Sequence, residues 1–264
     1  MSKTTKAFTL IELLVVIAII ALLLSVIMPA LGKAKKLTKS MVCKTNLRSL
    51  QLGNRLYTED NDGTHIIGGD RLWVNDIATY LEDVDKARYC PEAKESHFTP
   101  NPSNPTQAQV NGTRNKPWGL WNEDQQRYDL GAYTINNWLY SEIVWQGAQQ
   151  EVPHENSYTK AGMIQNTGIV PVFMDGIRWG TTADNHAAFN PASDIDWENG
   201  KQEPSFSRVL INRHSGNGNV VFYDGHAEQV LLPEFFTLKW HKNSTPNHTM
   251  IQRVISENPP SKSR

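Results

Sequence analysis

Hydrophobic positions are spread very unevenly along the 264 residues of this chain. From Leu13 to Ile27 the sole polar side chain is Ser25. Extended to Phe8 and Leu31, the apolar run is broken only by Thr9, Glu12, Ser25 and Pro29. As a helix this run reaches about 36 Å, enough to cross a hydrocarbon core of about 30 Å. It is longer than the core of a cleaved secretory signal, and it runs straight into Lys33, Lys35 and Lys36, so a retained membrane helix is predicted. Beyond it Leu31, Ala34, Leu37, Met41, Leu47 and Leu50 recur at helical spacing, which extends the helix past a kink at Pro29. Gly53-Asn54 loosens its far end, and the turn residues Glu59-Asp60-Asn61-Asp62-Gly63 stop it.

The pattern then changes period. Residues 97–128, with Pro100, Pro102, Pro105 and Pro117, read as a long surface loop. Val170–Asp175 reads as a strand entering a turn at Asp175-Gly176. Asn219–Tyr223 and His226–Leu231 flank Asp224-Gly225, the residue pair of a tight hairpin in which both positions favour positive φ. Arg208–Ile211 adds a further strand. The sum is an antiparallel meander.

Charge sharpens the division. Residues 1–48 carry eight Lys and Arg and one acid, Glu12; residues 49–264 carry 18 basic groups against 26 acidic. The first part is greasy and basic, the second polar and acidic, which places them in different solvents. A carboxylate within a membrane span is costly, so Glu12 either reaches toward the headgroups or has a partner. The lysines after the span lack interleaved aromatic residues, and no nucleic-acid partner is predicted.

Chemistry-bearing motifs are few. No nucleophile elbow, zinc-protease or phosphate-loop pattern is present, and neither enzymatic activity nor a cofactor is predicted. Asp60 and Asp62 are spaced like calcium ligands, but the twelfth position of an EF-hand loop falls on Arg71, so a capped turn is favoured. Cys43 and Cys90 form a disulfide outside the cytoplasm or remain as two buried thiols; two cysteines alone make a weak metal site, and none is assigned. His214 is read as hydrogen-bonding the hairpin carboxylate of Asp224, with metal binding by His214, Asp224 and His226 as the alternative. Trp118, Trp121, Trp138 and Trp145 fill a core or present a sugar-stacking face.

The stretch Lys6-Ala7-Phe8-Thr9-Leu10-Ile11-Glu12-Leu13-Leu14 resembles the N-terminus of type IV prepilins and type II secretion pseudopilins. The resemblance implies cleavage between Ala7 and Phe8 by a prepilin peptidase, N-methylation of Phe8, and pairing of Glu12 with the Phe8 amine of a neighbouring subunit. Ala7 stands where the family usually has Gly. Lys3 and Lys6 precede the span and four lysines follow it, so the positive-inside rule alone puts the C-terminal side in the cytoplasm. The resemblance implies the reverse, with that side in the periplasm or on the cell surface.

A second resemblance joins the two ends of the chain. Cys43 with Asn46, Leu47 and Arg48, then Tyr57, Asp60–Gly63 and Cys90-Pro91, and finally His214 with nine residues between it and Asp224-Gly225, are similar to a group of pilin-like proteins abundant in planctomycetes. The two resemblances together imply an α+β, pilin-like fold: a leader over 1–7, a transmembrane helix over 8–31, its continuation over 32–58, a globular domain over 59–255 with an insertion at about 95–165, and a disordered tail over 256–264. The expected role is a structural subunit of a pilus-like or secretion pseudopilus fibre in the bacterial inner membrane, with prepilin peptidase and other pilin-like subunits as partners. The alternative is a membrane-anchored envelope module that binds polysaccharide through the Trp-rich insertion.

Overall fold

The computed structural model describes residues 9–69, 72–93, 109–122, 126–145, 148–150, 155–184 and 189–260. The chain divides into two compact units, Met1–Lys39 and Ser40–Arg264. Helix α1 spans Leu10–Asp60 with Pro29 inside it. Its apolar stretch is long and greasy enough to cross a membrane, with a mean hydropathy of 3.2 over its best window and none of that window buried.

In the second unit α1 keeps a one-sided pattern. Ser40, Cys43, Leu47, Leu50, Gln51, Asn54 and Thr58 are buried, each three or four positions from another of the set, the stripe of an amphipathic helix. The positions that recur at helical spacing in the sequence divide between the exposed surface and this stripe. Leu47 and Leu50 belong to it, whereas Leu37 and Met41 are 64% and 65% exposed. Gly53 does not interrupt the helix, because its bare backbone admits the side chain of Leu81. Asp62 and Gly63 take positive φ just after Asp60 and turn the chain away.

The remaining elements come in this order: β1 (Ile67–Gly69), α2 (Trp73–Ile77), α3 (Val84–Ala87), β2 (Gln109–Val110), β3 (Trp118–Asn122), β4 (Arg127–Gly131), β5 (Tyr133–Asn136), β6 (Glu142–Trp145), β7 (Ala148–Gln150), β8 (Pro171–Asp175), β9 (Gly180–Thr181), α4 (Pro191–Asp194), β10 (Asn217–Phe222), β11 (Ala227–Leu231) and α5 (His248–Glu257). A central sheet runs β11-β10-β8-β5-β9, flanked by small sheets β1-β6-β7 and β2-β3-β4. The layout is α+β and pilin-like: a long apolar N-terminal helix followed by mainly antiparallel sheets.

Four central strands pair antiparallel, as a meander requires; β9 lies parallel to β5 at the edge. Three expectations need correction. Arg208–Val209 lies in a 3-10 turn, Ser205–Val209, that sets Phe206 among Phe189, Phe236 and Trp240. The stretch read as an insertion supplies β5, an interior strand with all four residues buried. Residues 256–257 close α5 rather than beginning a disordered tail, and Asn258 is tied down by its amide to the carbonyls of Pro191 and Ile195. Residues 261–264 lie outside the described residues.

One core joins Cys43, Leu47 and Leu50 of α1 to Trp73, Trp118, Tyr133 and Phe173. A second, on the other side of the sheet strands, gathers Phe206, Phe222, Phe235, Phe236 and Trp240 with α5. Trp118 and Trp138 are buried, and their indole N–H groups donate to the carbonyls of Tyr133 and Ala183. Buried indoles with satisfied donors are packing, not a stacking surface.

Candidate functional site

Two regions carry the residues singled out by sequence. The first is the start of α1. Ala7 and Phe8 lie outside the described residues. The hydroxyl of Thr9 donates to Glu12 Oε2 at 2.8 Å and its backbone N–H does so at 2.9 Å, while the Glu12 N–H donates back to Thr9 Oγ1 at 3.3 Å. This reciprocal arrangement is a capping box, and it satisfies backbone donors that the helix start leaves orphaned. Within a single chain, Glu12 therefore has a local partner. Around and beyond it, the large apolar side chains from Leu10 to Leu31 are 45% to 78% exposed.

The second region is built by four separate pieces of the globular unit. Cys43 faces inward from α1. Cys90 comes after α3 on a segment held by the Asn46 amide, which donates to the Tyr89 carbonyl at 2.7 Å. Asp175 ends β8, and His214 precedes β10. Cys43 Sγ and Cys90 Sγ are 2.6 Å apart, and both cysteines are free and buried. His214 Nε2 lies 3.4 Å from Cys90 Sγ and 3.2 Å from Asp175 Oδ2. Asp175 Oδ2 also accepts the Asn219 N–H at 2.8 Å, while Oδ1 has no hydrogen-bond partner and faces Arg213 at 3.7 Å. Arg213 is fully buried and donates to the carbonyls of Arg114, Thr113 and Ala132.

The electrostatics arise from this crowding. Burial alone pushes the Asp175 carboxyl up, but His214, Arg213 and the Asn219 N–H together hold it below the usual carboxylate range. Burial pulls His214 down, yet Asp175 and Cys90 raise it to about 10. Burial raises both thiols; the Cys43 sulfur and the His214 imidazole offset this at Cys90 and bring it to about 6, while Cys43 moves up. A thiol, an imidazole and a carboxylate in line suggest a nucleophilic relay. The geometry excludes one: both short contacts use Nε2, whereas a relay needs one ring nitrogen for each neighbour. All four side chains are also shut away from solvent.

His214 and Asp224 are not brought together, which corrects the reading of that motif. Asp224 instead accepts the His226 N–H at 3.0 Å and contacts His226 Nδ1 at 2.6 Å, on the surface. His214, Asp224 and His226 thus make no common metal site. Ser215 and Gly216 turn the chain with positive φ at one end of β10, and Gly225 does so at the other. Asp224 does not take positive φ, so the hairpin turn relies on its glycine alone. The nine-residue spacing measures the arm of a hairpin. Asp175 escapes sequence reasoning as a site residue because its Asp-Gly pair reads as turn chemistry; burial of the whole of β8 is the signal that could have found it.

Residues 2–28 match the family model for the prokaryotic N-terminal methylation motif. No curated protein and no solved structure matches the chain. The motif is that of pilin- and pseudopilin-type precursors, whose N-termini are processed by a prepilin peptidase, and here, from Leu10 on, it overlaps a helix long and apolar enough to span a membrane.

Proposed function

We propose that this protein is a structural, non-enzymatic subunit of a type IV pilus-like or type II secretion pseudopilus fibre. A prepilin peptidase cuts between Ala7 and Phe8, Phe8 is N-methylated, and Phe8–Leu31 then holds the subunit in the inner membrane with residues beyond 40 in the periplasm or on the cell surface. The observation that carries this reading is the methylation motif at 2–28 overlapping, from Leu10 on, a helix whose large apolar side chains up to Leu31 are exposed among the described residues. Such a surface needs lipid or neighbouring helices. A fibre exchanges one for the other, at little loss, because packed side chains replace lipid contacts of similar polarity.

Glu12 supplies register in this scheme. In one chain it caps the helix through Thr9; in the fibre the Phe8 amine of a neighbour provides a cation for it, and a carboxylate in an apolar setting is stabilised by such a partner. Mass spectrometry of the mature protein from a membrane fraction tests the processing: the expected N-terminal peptide begins at N-methylated Phe8, and one beginning at Met1 or Ser2 overturns it. Glu12→Ala tests the pairing. It is expected to leave membrane insertion intact and abolish fibre incorporation; normal incorporation removes Glu12 from the mechanism.

A further inference from the structure

The convergence of Cys43, Cys90, Asp175 and His214 exceeds what packing requires. We propose that these four side chains form a structural zinc site that ties the domain half of α1 to the central sheet. Their ligand atoms (two sulfurs, Nε2 and a carboxylate oxygen) all lie within 4.8 Å of one another, and all four residues are buried. Two thiolates, an imidazole and a carboxylate are a four-donor set suited to tetrahedral zinc.

The distances support this ion. With zinc bonds of about 2.0–2.1 Å to N and O and 2.3 Å to S, a regular tetrahedron has edges of about 3.3 Å for N···O and about 3.6 Å for S···N. The structure has 3.2 Å between His214 Nε2 and Asp175 Oδ2, and 3.4 Å between His214 Nε2 and Cys90 Sγ. The third edge, between the sulfurs, is 2.6 Å and must open to about 3.8 Å on loading. Cys90 lies beyond α3 outside any regular element, with its backbone pinned at Tyr89, so the opening falls to rotation of the two cysteine side chains. The meeting of two contacts at the single atom Nε2, which defeats a relay, is what a metal ligand requires.

Charge also closes. As the ion binds, the protons still held by the two thiols and the second ring proton of His214 leave to solvent, so that the ion meets two thiolates and a neutral imidazole. The three negative charges of the two thiolates and Asp175 are then met by the ion and by Arg213, leaving a buried cluster with no net charge. A Cys43–Cys90 disulfide is the competing state. It consumes the same sulfurs and leaves His214 and Asp175 outside the link.

The test uses the full chain in detergent, purified with neither chelator nor reductant. Metal analysis is expected to find one zinc per chain, with two thiols that react only after unfolding in the presence of a chelator. Absence of zinc overturns the proposal, whether the thiols are then free or joined. Replacement of the ion by Co2+ gives a signature that packing alone cannot: intense visible bands of tetrahedral cobalt with sulfur-to-metal charge transfer in the near ultraviolet. Cys90→Ser should remove about half of that charge-transfer intensity. If it fails to fold, Asp175→Asn, which keeps both sulfurs, should keep the charge transfer and weaken zinc at least tenfold in competition with a chromogenic chelator. Unchanged affinity in Asp175→Asn removes that residue from the site and overturns the four-ligand assignment.

Discussion

Two stretches of α1 treat hydrophobicity in opposite ways. Before Gly32 almost every side chain is apolar, yet Leu10, Leu22 and Val26 are 69% to 78% exposed. After Ser40 the helix is mixed in composition, yet Leu47 and Leu50 are wholly buried together with the polar Gln51 and Asn54. The difference teaches that a core is marked by one-sidedness and by partners, not by apolar content. Gln51 is tolerated inside because its amide donates to the Tyr223 carbonyl at 2.9 Å and its Oε1 accepts from Asn54.

The largest test of that contrast is a pair of matched truncations. Leu50→Ala removes a fully buried side chain and should destabilise the globular unit by about 2–5 kcal/mol, depending on how far the cavity collapses. Leu23→Ala, on the exposed stretch, should change domain stability by less than about 0.5 kcal/mol. Denaturant midpoints of the full chain in detergent measure both. Equal losses would mean that the first stretch also packs on the domain.

Much of the contrast is legible in sequence, because it rests on period. The long apolar run, the end of the helix at the acidic turn and the β10–β11 hairpin all arise from local patterns. So does the inward face at Leu47 and Leu50, although the same helical spacing also picks out the exposed Leu37 and Met41. What sequence does not reveal depends on which distant residue arrives. Cys43, Cys90, Asp175 and His214 are brought together across 171 positions of sequence by pairings among β5, β8 and β10 that no local signal specifies. The expected His214–Asp224 contact fails for a reason that the sequence itself contains. If 217–222 is a strand, it is about 20 Å long, and residues at its two ends cannot meet. Helix α5 has its own signal, an Asn247 cap followed by Met250 and Val254 on one face, which the strand pattern ahead of it overshadows.

A pH measurement sharpens the contrast on the domain side. His65 is buried, and burial lowers its pKa despite the bond to the Tyr158 carbonyl. Since that carbonyl can only accept, Nδ1 carries the proton, and the neutral ring accepts from the Tyr223 hydroxyl at Nε2, 2.9 Å away. The unfolded chain takes up a second ring proton near pH 6.5 and the folded one resists it. Stability therefore falls as pH drops from about 6.5 toward the lowered folded value and levels off below it. The slope from this residue is at most about 1.4 kcal/mol per pH unit. His65→Gln should flatten the fall in denaturant midpoint between pH 7 and pH 5 by that one-proton share. An unchanged slope would place the acid sensitivity elsewhere.

The smallest effect separates the two ends of β10, where the same contrast between exposed and buried partners recurs. Asp224 and His226 form a close pair, but both are about two-fifths exposed. Water screens such a pair and competes for its hydrogen bonds, so Asp224→Ala should cost no more than about 1 kcal/mol. Gly225, with φ at 93°, still makes the turn. His214 and Asp175 are 2% exposed or less, and neither has solvent to replace its partner. His214→Ala leaves the Asp175 carboxylate with Arg213 at 3.7 Å as its remaining cation and should cost several times more than Asp224→Ala. Thermal unfolding of the two variants side by side reads the ratio. A ratio near one would mean that the two motif residues act as a unit after all, and the reading of their spacing as the length of a hairpin arm would have to be given up.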